Sequence, residues 1–446
     1  MKIFITLMMT LTCSGYAFAD SSRLGLKEAI NMAISGNNQV RAAGFTAEAA
    51  RQGAAAVASR YYPSVSFEES FNASNSPTRT FMMKLDEGRF TQNDFLIGNL
   101  NSPGTGHDFR TALTAKMPLY DPATRPMRTI AVKESEIQDT RHDQSKQETA
   151  FRVFRQYLDI QRAQSRLHAA EQAVADAREH LRLAGVRSRA GVGLRSDELR
   201  ARTHIAGSEQ QLISARNNLT IARLELASTI GLKEGESADV DDAVIAAVPL
   251  TLSVDDLTAA AIANRIELKL SQGEFEKADA TLQLARSSYL PSLNAFASYQ
   301  MNSRDTPFGS DNDAWNAGAA LSWQIFDGFK RCRERDKASA EKSAATEMRE
   351  HARRETGLRV RESYLRSEEL GKRLDVVGHA LLDAEETVRL LSRRFENSLA
   401  TMAEVLDAQT ALNQTRADLV DSQAGFALSR GYVYFTAGIF LKEMTK

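Results

Sequence analysis

Most recognisable motifs of this chain occur twice, with the second copy about 207 residues after the first. The pattern that begins at Arg187 and reaches Gly191 returns from Arg394 to Ser398, and in both copies an acidic residue and Leu-x-Ala follow. A repeat this long determines architecture before any single motif does. We therefore expect one mixed unit of helices and strands in two copies, residues 20–231 and 254–438. An acidic linker, 232–253, joins them, and a short tail, 439–446, follows.

The first 19 residues have the pattern of a cleaved export signal. A charged Lys2, an apolar stretch and the sequence Ala17-Phe18-Ala19 precede Asp20. This is the order of regions in a secretory signal peptide. Cys13 lacks the flanking residues of a lipidation site, so cleavage is favoured over a lipid anchor. Cleavage would leave Cys332 as the single cysteine, which excludes an intrachain disulfide in the exported protein.

Composition excludes several classes of protein. After the signal there is no apolar run of about 18 residues, so no transmembrane helix is expected. A net charge of −1 argues against a nucleic-acid binder. The seven histidines are scattered, and no phosphate-binding glycine loop or nucleophile elbow is present. We expect no enzymatic activity, no cofactor and no metal site.

Strict alternation of apolar and polar residues predicts two pairs of strands, one pair in each repeat. The first pair lies around 64–71 and 109–119, the second around 293–301 and 315–325. Aromatic residues near the strand ends are typical of membrane β-strands, and we assign Phe109, Trp315 and Trp323 as such anchors. Two soluble hairpins are the alternative, but a duplicated, exported chain favours the barrel. The apolar loop between the first two strands either folds over the pore mouth or packs on itself.

Long helices are predicted after Asp121 and Asp327. Apolar residues recur there at alternating spacings of three and four, which is the signature of a coiled-coil seam. The seams run over 160–184 and 370–395, and the helix that begins near Pro122 has about 65 residues. Each helix ends at a turn and is followed by a returning helix, which predicts a helical tube below the strands.

Four strands cannot close a membrane barrel, because the smallest single-chain barrels have eight. Several copies must therefore contribute to one barrel, and the sequence permits two, three or four.

These features together resemble the TolC-like outer membrane efflux protein family. The resemblance rests on the duplicated Tyr-x-Pro-Ser strand entry, the Leu-Tyr-Asp and Ile-Phe-Asp-Gly strand exits, and the hairpin ends. It implies a mixed α and β membrane protein: an all-next-neighbour antiparallel β-barrel, four strands per protomer and twelve in a homotrimer, continuous with a long periplasmic α-helical barrel of coiled-coil hairpins. The implied partners are outer membrane lipid, a periplasmic membrane-fusion adaptor, and an inner-membrane RND or ABC transporter.

The resemblance also assigns site residues. Glu404 and Asp407 match acidic residues that narrow the periplasmic end of the family's channel, and their spacing allows both to point into a lumen. In the first repeat Arg200 stands where the second acid is expected, so a local pair with Asp197 is predicted. Phe395 and Ala400 replace residues that latch the closed tip in TolC, so a closed state here must be held differently.

The hairpin ends are the expected docking surface for the adaptor: Gly191, Val192, Gly193, Leu194, Ser398 and Leu399. The function implied is the passive exit duct of a tripartite efflux pump or of a type I secretion system, in the outer membrane and extending into the periplasm. A soluble periplasmic coiled-coil adaptor or scaffold is the alternative.

Overall fold

A computed structural model describes residues 23–233, 235–241 and 245–444. The predicted signal, parts of the linker and the last two residues of the tail lie outside the described residues. The helices are α1 (Leu26–Gly36), α2 (Asn38–Ala58), α3 (Pro77–Asp86), α4 (Ile97–Asn101), α5 (Thr124–Arg189), α6 (Arg195–Ile230), α7 (Val254–Asn264), α8 (Ile266–Ser287), α9 (Lys330–Glu396), α10 (Met402–Thr436) and α11 (Phe440–Met444). The strands are β1 (Ser64–Ser74), β2 (Gly106–Tyr120), β3 (Ser292–Ser303) and β4 (Asn312–Ser322).

The chain divides into two compact units. The strand unit comprises Ala42–Gln144 and Asn264–Thr356, with all four strands and the first parts of α5 and α9. The hairpin unit comprises the described residues up to Arg41, Ser145–Ala263, and those from Gly357 onward. Among the described residues, no helix combines the length and apolar composition that a membrane-spanning helix requires.

The strand unit contains one antiparallel sheet in the order β1-β2-β3-β4. Its register aligns Ser64 with Lys116, Lys116 with Phe296, and Phe296 with Gly318, so even-numbered residues share one face. The even face is mostly Ser, Asn, Thr, Gln and charged residues. The odd face carries large apolar side chains, among them Phe67, Leu113, Tyr299 and Trp315. The predicted alternation is confirmed.

One boundary prediction is wrong, because Trp323 and Ile325 lie beyond the end of β4. The partner strand β3 begins at Ser292, which pairs with Ser322, and Pro291 before it has no N–H to donate. Residues after Ser322 therefore have no ladder on that side. The Trp323 indole N–H instead donates to the Tyr289 carbonyl at 3.1 Å, while Phe109 and Trp315 remain on the apolar face.

The connection between β1 and β2 is folded. Phe81, Phe90 and Phe95 form a cluster with ring centroids 4.6 to 6.4 Å apart. Its helix α3 also packs on the sheet, where the Asn312 side-chain amide donates to the Asp86 carbonyl at 3.1 Å. Asn312 belongs to the even, polar face. The loop thus packs on itself through its own aromatic core, as one of the two alternatives predicts, and it also lies against the end of the polar face.

The long helices have 66 and 67 residues, as the spacing predicts. Seam positions of α5 such as Ile160, Val174 and Ala177 are buried, whereas those of α9 are half-buried except for the buried Phe395. The main core of the hairpin unit surrounds Ile30, Phe154 and Leu226, and Val240 of the linker is fully buried against it. The described part of the linker therefore contributes to this core although it contains no helix or strand.

We predict that Gly431→Ala destabilises the hairpin unit. A Cβ at Gly431, inside α10, would collide with the ring of Phe154, which is itself buried in the core. Overpacking of this kind costs about 1–3 kcal/mol. The matched control is Gly425→Ala in the same helix, where nothing lies within 4 Å of the added Cβ, and which should stabilise by about 0.5–1 kcal/mol through helix propensity.

The midpoint of thermal unfolding, followed by circular dichroism in detergent, measures both variants. Equal midpoints for the two variants would contradict the packing of Phe154 on Gly431.

Candidate functional site at the hairpin ends

The two hairpin turns of the hairpin unit have the same backbone geometry. Gly191 and Ser398 occupy equivalent positions with φ of 72° and 63°. In each turn the following amide bonds back to the repeated arginine: Val192 N–H to the Arg187 carbonyl at 3.1 Å, and Leu399 N–H to the Arg394 carbonyl at 2.8 Å. Left-handed backbone favours glycine, so Ser398 requires local support that Gly191 does not.

That support begins with an apolar cluster beneath the turns, contributed by α5, α6, α9 and α10. Its buried members are Ala184, Ala201, Phe395, Met402, Val405 and Leu406. Because every helix of both hairpins contributes, the cluster fixes the two hairpin ends against one another. Phe395, the residue that departs from the TolC pattern, is a core residue of this cluster.

A single side chain adds a polar link across the two hairpins. From the last turn of α5, Arg187 donates through Nη1 to the Phe395 and Glu396 carbonyls at 3.0 and 3.1 Å. Its Nη2 donates to the Ser398 hydroxyl at 2.7 Å. The guanidinium carbon lies 4.8 Å from the Phe395 ring centroid. One cation therefore caps the C-terminal end of α9 and supports the left-handed residue of its turn.

Glu404 and Asp407 both lie exposed in the first two turns of α10, but their surroundings differ. The Glu404 carboxylate accepts hydrogen bonds from the Thr401 amide at 2.7 Å and from its hydroxyl at 2.9 Å. The Glu404 amide donates in return to the Thr401 hydroxyl at 3.3 Å, which completes a capping box. Asp407 has no hydrogen bond or ion pair within the described part of the chain. Asp407 is therefore the freer of the two carboxylates.

The hydrogen bonds from the Thr401 amide and hydroxyl hold the pKa of Glu404 below its usual value of 4.5. A carboxylate whose folded-state pKa is depressed stabilises the fold fully above its unfolded pKa. This contribution is lost as the pH falls through the lowered value. The Glu404 cap is therefore intact at neutral pH.

The predicted pair between Asp197 and Arg200 is wrong. Within the described residues neither forms an ion pair, and Glu198 instead binds Arg195 and Arg202, the latter at 2.9 Å. Glu198 lies three residues after Arg195 and four residues before Arg202, spacings at which helical side chains meet. A spacing of three would also allow Asp197 to reach Arg200, but the described structure shows no contact between these two side chains.

The expected docking residues lie at the very ends of the hairpins. Val192, Leu194 and Leu399 expose about two thirds of their surface (66%, 67% and 66%). Gly193 is more enclosed, because a Cβ there would lie 2.9 Å from the Arg187 Cβ. The turns thus combine a close backbone approach at Gly193 with three outward apolar side chains.

A buried polar layer lies further along the same hairpins. Gln409 of α10 is 2% exposed, and its amide donates to Asp176 at 3.1 Å and faces His180 Nε2 at 3.4 Å. Burial, reinforced by nearby His180, lowers the pKa of His204. In the described part of the chain no three His, Cys, Asp or Glu residues are grouped as a metal site would need. The contacts of Gln409 with Asp176 and His180 form a polar link between the first and second hairpins.

The cross-hairpin role of Arg187 escapes sequence reasoning, because no local pattern states which carbonyl groups a guanidinium will reach. The capping role of Glu404 could have been found: Thr401-x-x-Glu404 before an apolar run is a capping-box signature.

We predict that Thr401→Ala loosens the start of α10, whereas Thr401→Ser does not. Loss of an N-cap hydroxyl costs about 1 kcal/mol, and serine supplies the same acceptor. Hydrogen exchange of the 401–405 segment at pH 7, read by mass spectrometry, should be several-fold faster in the alanine variant alone. Identical exchange in both variants would show that the cap does not hold this turn.

Comparison with known proteins agrees with this architecture. The outer membrane efflux protein family model matches residues 29–232 and 257–429. The solvent efflux pump outer membrane protein SrpC and the toluene efflux pump outer membrane protein TtgI, both of Pseudomonas putida, are 26% identical over 193 residues. That alignment covers 41% of this chain and only 39% of each relative.

Solved structures share the fold across nearly the whole chain. The outer membrane channel CmeC of Campylobacter jejuni has a TM-score of 0.79 at 14% identity, covering 94% of this chain and 89% of its own. The outer membrane protein VceC of Vibrio cholerae has a TM-score of 0.76 at 16% identity, covering 93% and 96%. With its two repeats both matched by the family model, the chain belongs to the outer membrane efflux protein family.

Proposed function

We propose that this chain forms the outer membrane exit duct of a tripartite efflux pump, as a homotrimer that is opened by a periplasmic adaptor and driven by an inner-membrane transporter. The observation that carries the proposal is the two-faced sheet. Its odd face is apolar enough for lipid contact and its even face is polar enough to line water. A sheet with these two faces fits a membrane barrel around an aqueous lumen.

The edges of the sheet require further copies. Among the described strands, β1 and β4 each pair with one neighbour, so one side of each has backbone groups without a partner strand. Such groups cost several kcal/mol each in hydrocarbon, and a closed barrel removes the cost. Three copies would give twelve strands, the number that the family resemblance implies.

The efflux role is favoured over type I secretion by the relatives' names. SrpC and TtgI are described as outer membrane proteins of solvent and toluene efflux pumps, which suggests small apolar molecules as cargo. Efflux ducts do no chemistry of their own, so the energy would come from the inner-membrane partner. An RND pump encoded beside this gene would support the proposal, and an ABC exporter with a secreted substrate would favour type I secretion.

In the proposed trimer, the freer carboxylate, Asp407, is the better candidate for the pore constriction. A ring of three carboxylates separated by an assumed ~6 Å would repel by roughly 0.7 kcal/mol per pair in water-like screening. Such a ring attracts cations and repels anions. Glu404 would contribute less, because its carboxylate is turned back onto Thr401.

We predict that Asp407→Asn lowers cation selectivity and raises single-channel conductance in planar bilayers, because it removes a charge without removing a hydrogen bond. Glu404→Gln should change selectivity less, because the Glu404 carboxylate is turned back onto Thr401, and glutamine can keep the capping box. Asp197→Asn, at the position of Glu404 in the first repeat, is the control and should match the wild type. The reversal potential in a salt gradient measures all three.

An unchanged reversal potential in Asp407→Asn would show that Asp407 does not form the constriction. Protein that stays soluble without detergent and never conducts would overturn the channel itself and favour the soluble scaffold.

We also predict that the exposed apolar tip residues serve the adaptor rather than conduction. Leu194→Ser and Leu399→Ser should reduce efflux in cells that carry the matching adaptor and pump, because they remove apolar area from the contact. Their conductance in bilayers should remain that of the wild type. Ile213→Ser, a change of equal exposure (68%) in the middle of α6, is the control. Full efflux by the tip variants would exclude these side chains from docking.

A further inference from the structure

The two arginines that repeat at the hairpin ends have the same backbone role but different side-chain roles. The carbonyl groups of Arg187 and Arg394 accept the equivalent turn amides, at 3.1 and 2.8 Å. The Arg394 side chain then stays in its own turn, where Nη2 donates to the Leu399 carbonyl at 3.3 Å. The Arg187 side chain crosses to the other hairpin instead. This difference between repeated positions points to a specific function for Arg187.

The contacts of Arg187 lie at the C-terminal end of α9 and in the turn that follows it. The Glu396 carbonyl lies at the C-terminal end of α9, where helical carbonyl groups lack an intrahelical partner. Ser398 has a positive φ without being glycine, and its hydroxyl is bound by Nη2. A planar guanidinium can serve these acceptors and stack on Phe395 at once, which a lysine ammonium cannot do.

The first turn is also shaped to place this arginine. Gly193 N–H donates to the Arg187 carbonyl at 3.0 Å, and any Cβ at Gly193 would press on Arg187. The backbone of Arg187 thus closes the first turn while its side chain closes the second. Within the described residues Arg187 has no carboxylate partner, so its charge is directed at the end of α9.

We propose that Arg187 is a positioning residue: it holds the second hairpin turn in place from the first hairpin and thereby positions the start of α10, where Glu404 and Asp407 lie. Only two residues separate Ser398 from the N-cap Thr401. Phe395, under the guanidinium, packs in one cluster with Met402 and Val405 of α10. The effect on conduction rests on the proposed function, but the effect on the turn does not.

The test compares Arg187→Ala, Arg187→Lys and the control Arg189→Ala, an exposed residue near Arg187 at the end of α5 whose side chain has no hydrogen bond in the described structure. Hydrogen exchange of segment 396–404 reports on the turn, and the reversal potential reports on the constriction. Arg187→Ala should exchange at least about tenfold faster there, the scale expected for loss of a charge-assisted hydrogen bond. It should also be less cation-selective, with Arg187→Lys intermediate in both and Arg189→Ala unchanged.

A second variant isolates one contact. Ser398→Ala removes the hydroxyl that Arg187 binds but keeps a Cβ at the positive φ, so it separates the hydrogen bond from backbone strain. In the double variant with Arg187→Ala, the two effects on exchange should be less than additive, because both remove the same bond.

Unchanged exchange in Arg187→Ala would overturn the proposal, whether or not the protein conducts. Faster exchange with unchanged selectivity, in protein whose Asp407→Asn variant does change selectivity, would also overturn it, since the turn would then move without moving the constriction. If the wild type shows no conductance, the proposed function is wrong. The exchange comparison would still decide whether Arg187 holds the turn.

Discussion

The structure depends on the need of every backbone N–H and C=O group for a partner where water is scarce. A four-stranded sheet with a single neighbour on each edge strand cannot meet this need in lipid by itself. The two faces of the sheet add a second demand, because an apolar face and a polar face require different solvents. The proposed association of copies into one barrel would satisfy both demands.

The same need operates on a smaller scale at the hairpin ends. Each long helix ends with carbonyl groups that have no intrahelical partner, and each returning helix begins with free amides. The first turn satisfies its groups with glycine geometry and its own backbone. The second uses side chains: Arg187 for the end of α9, and Thr401 with Glu404 for the start of α10. An acidic residue that the family resemblance assigns to the pore is therefore also a structural cap.

Sequence reasoning predicted the periodic features of the fold, but it missed individual side-chain contacts. The strand faces and helix seams follow from repeats of two and of three to four residues, and the structure confirms both. The extent of β4 was overestimated because the pattern continues through Trp323, although the partner strand begins only after Pro291. The supposed Asp197–Arg200 pair failed because a helix surface offers several partners at similar cost, and spacing does not choose among them. Arg187 was visible as part of a motif, but its long-range contacts depend on how two hairpins pack.

Each of these particular features occurs in only one of the two equivalent turns. Two equivalent turns within one chain can share a backbone design while their side chains take separate tasks. In the first repeat the Arg187 side chain reaches the other hairpin, and the position equivalent to Asp407 holds the cationic Arg200. In the second repeat the Arg394 side chain stays in its own turn, and the acidic residue is present. The proposed carboxylate ring would need one acid per protomer, not two, and a link between hairpins needs one arginine, not two. The repeats could therefore diverge at these positions without losing the turn geometry that both still share.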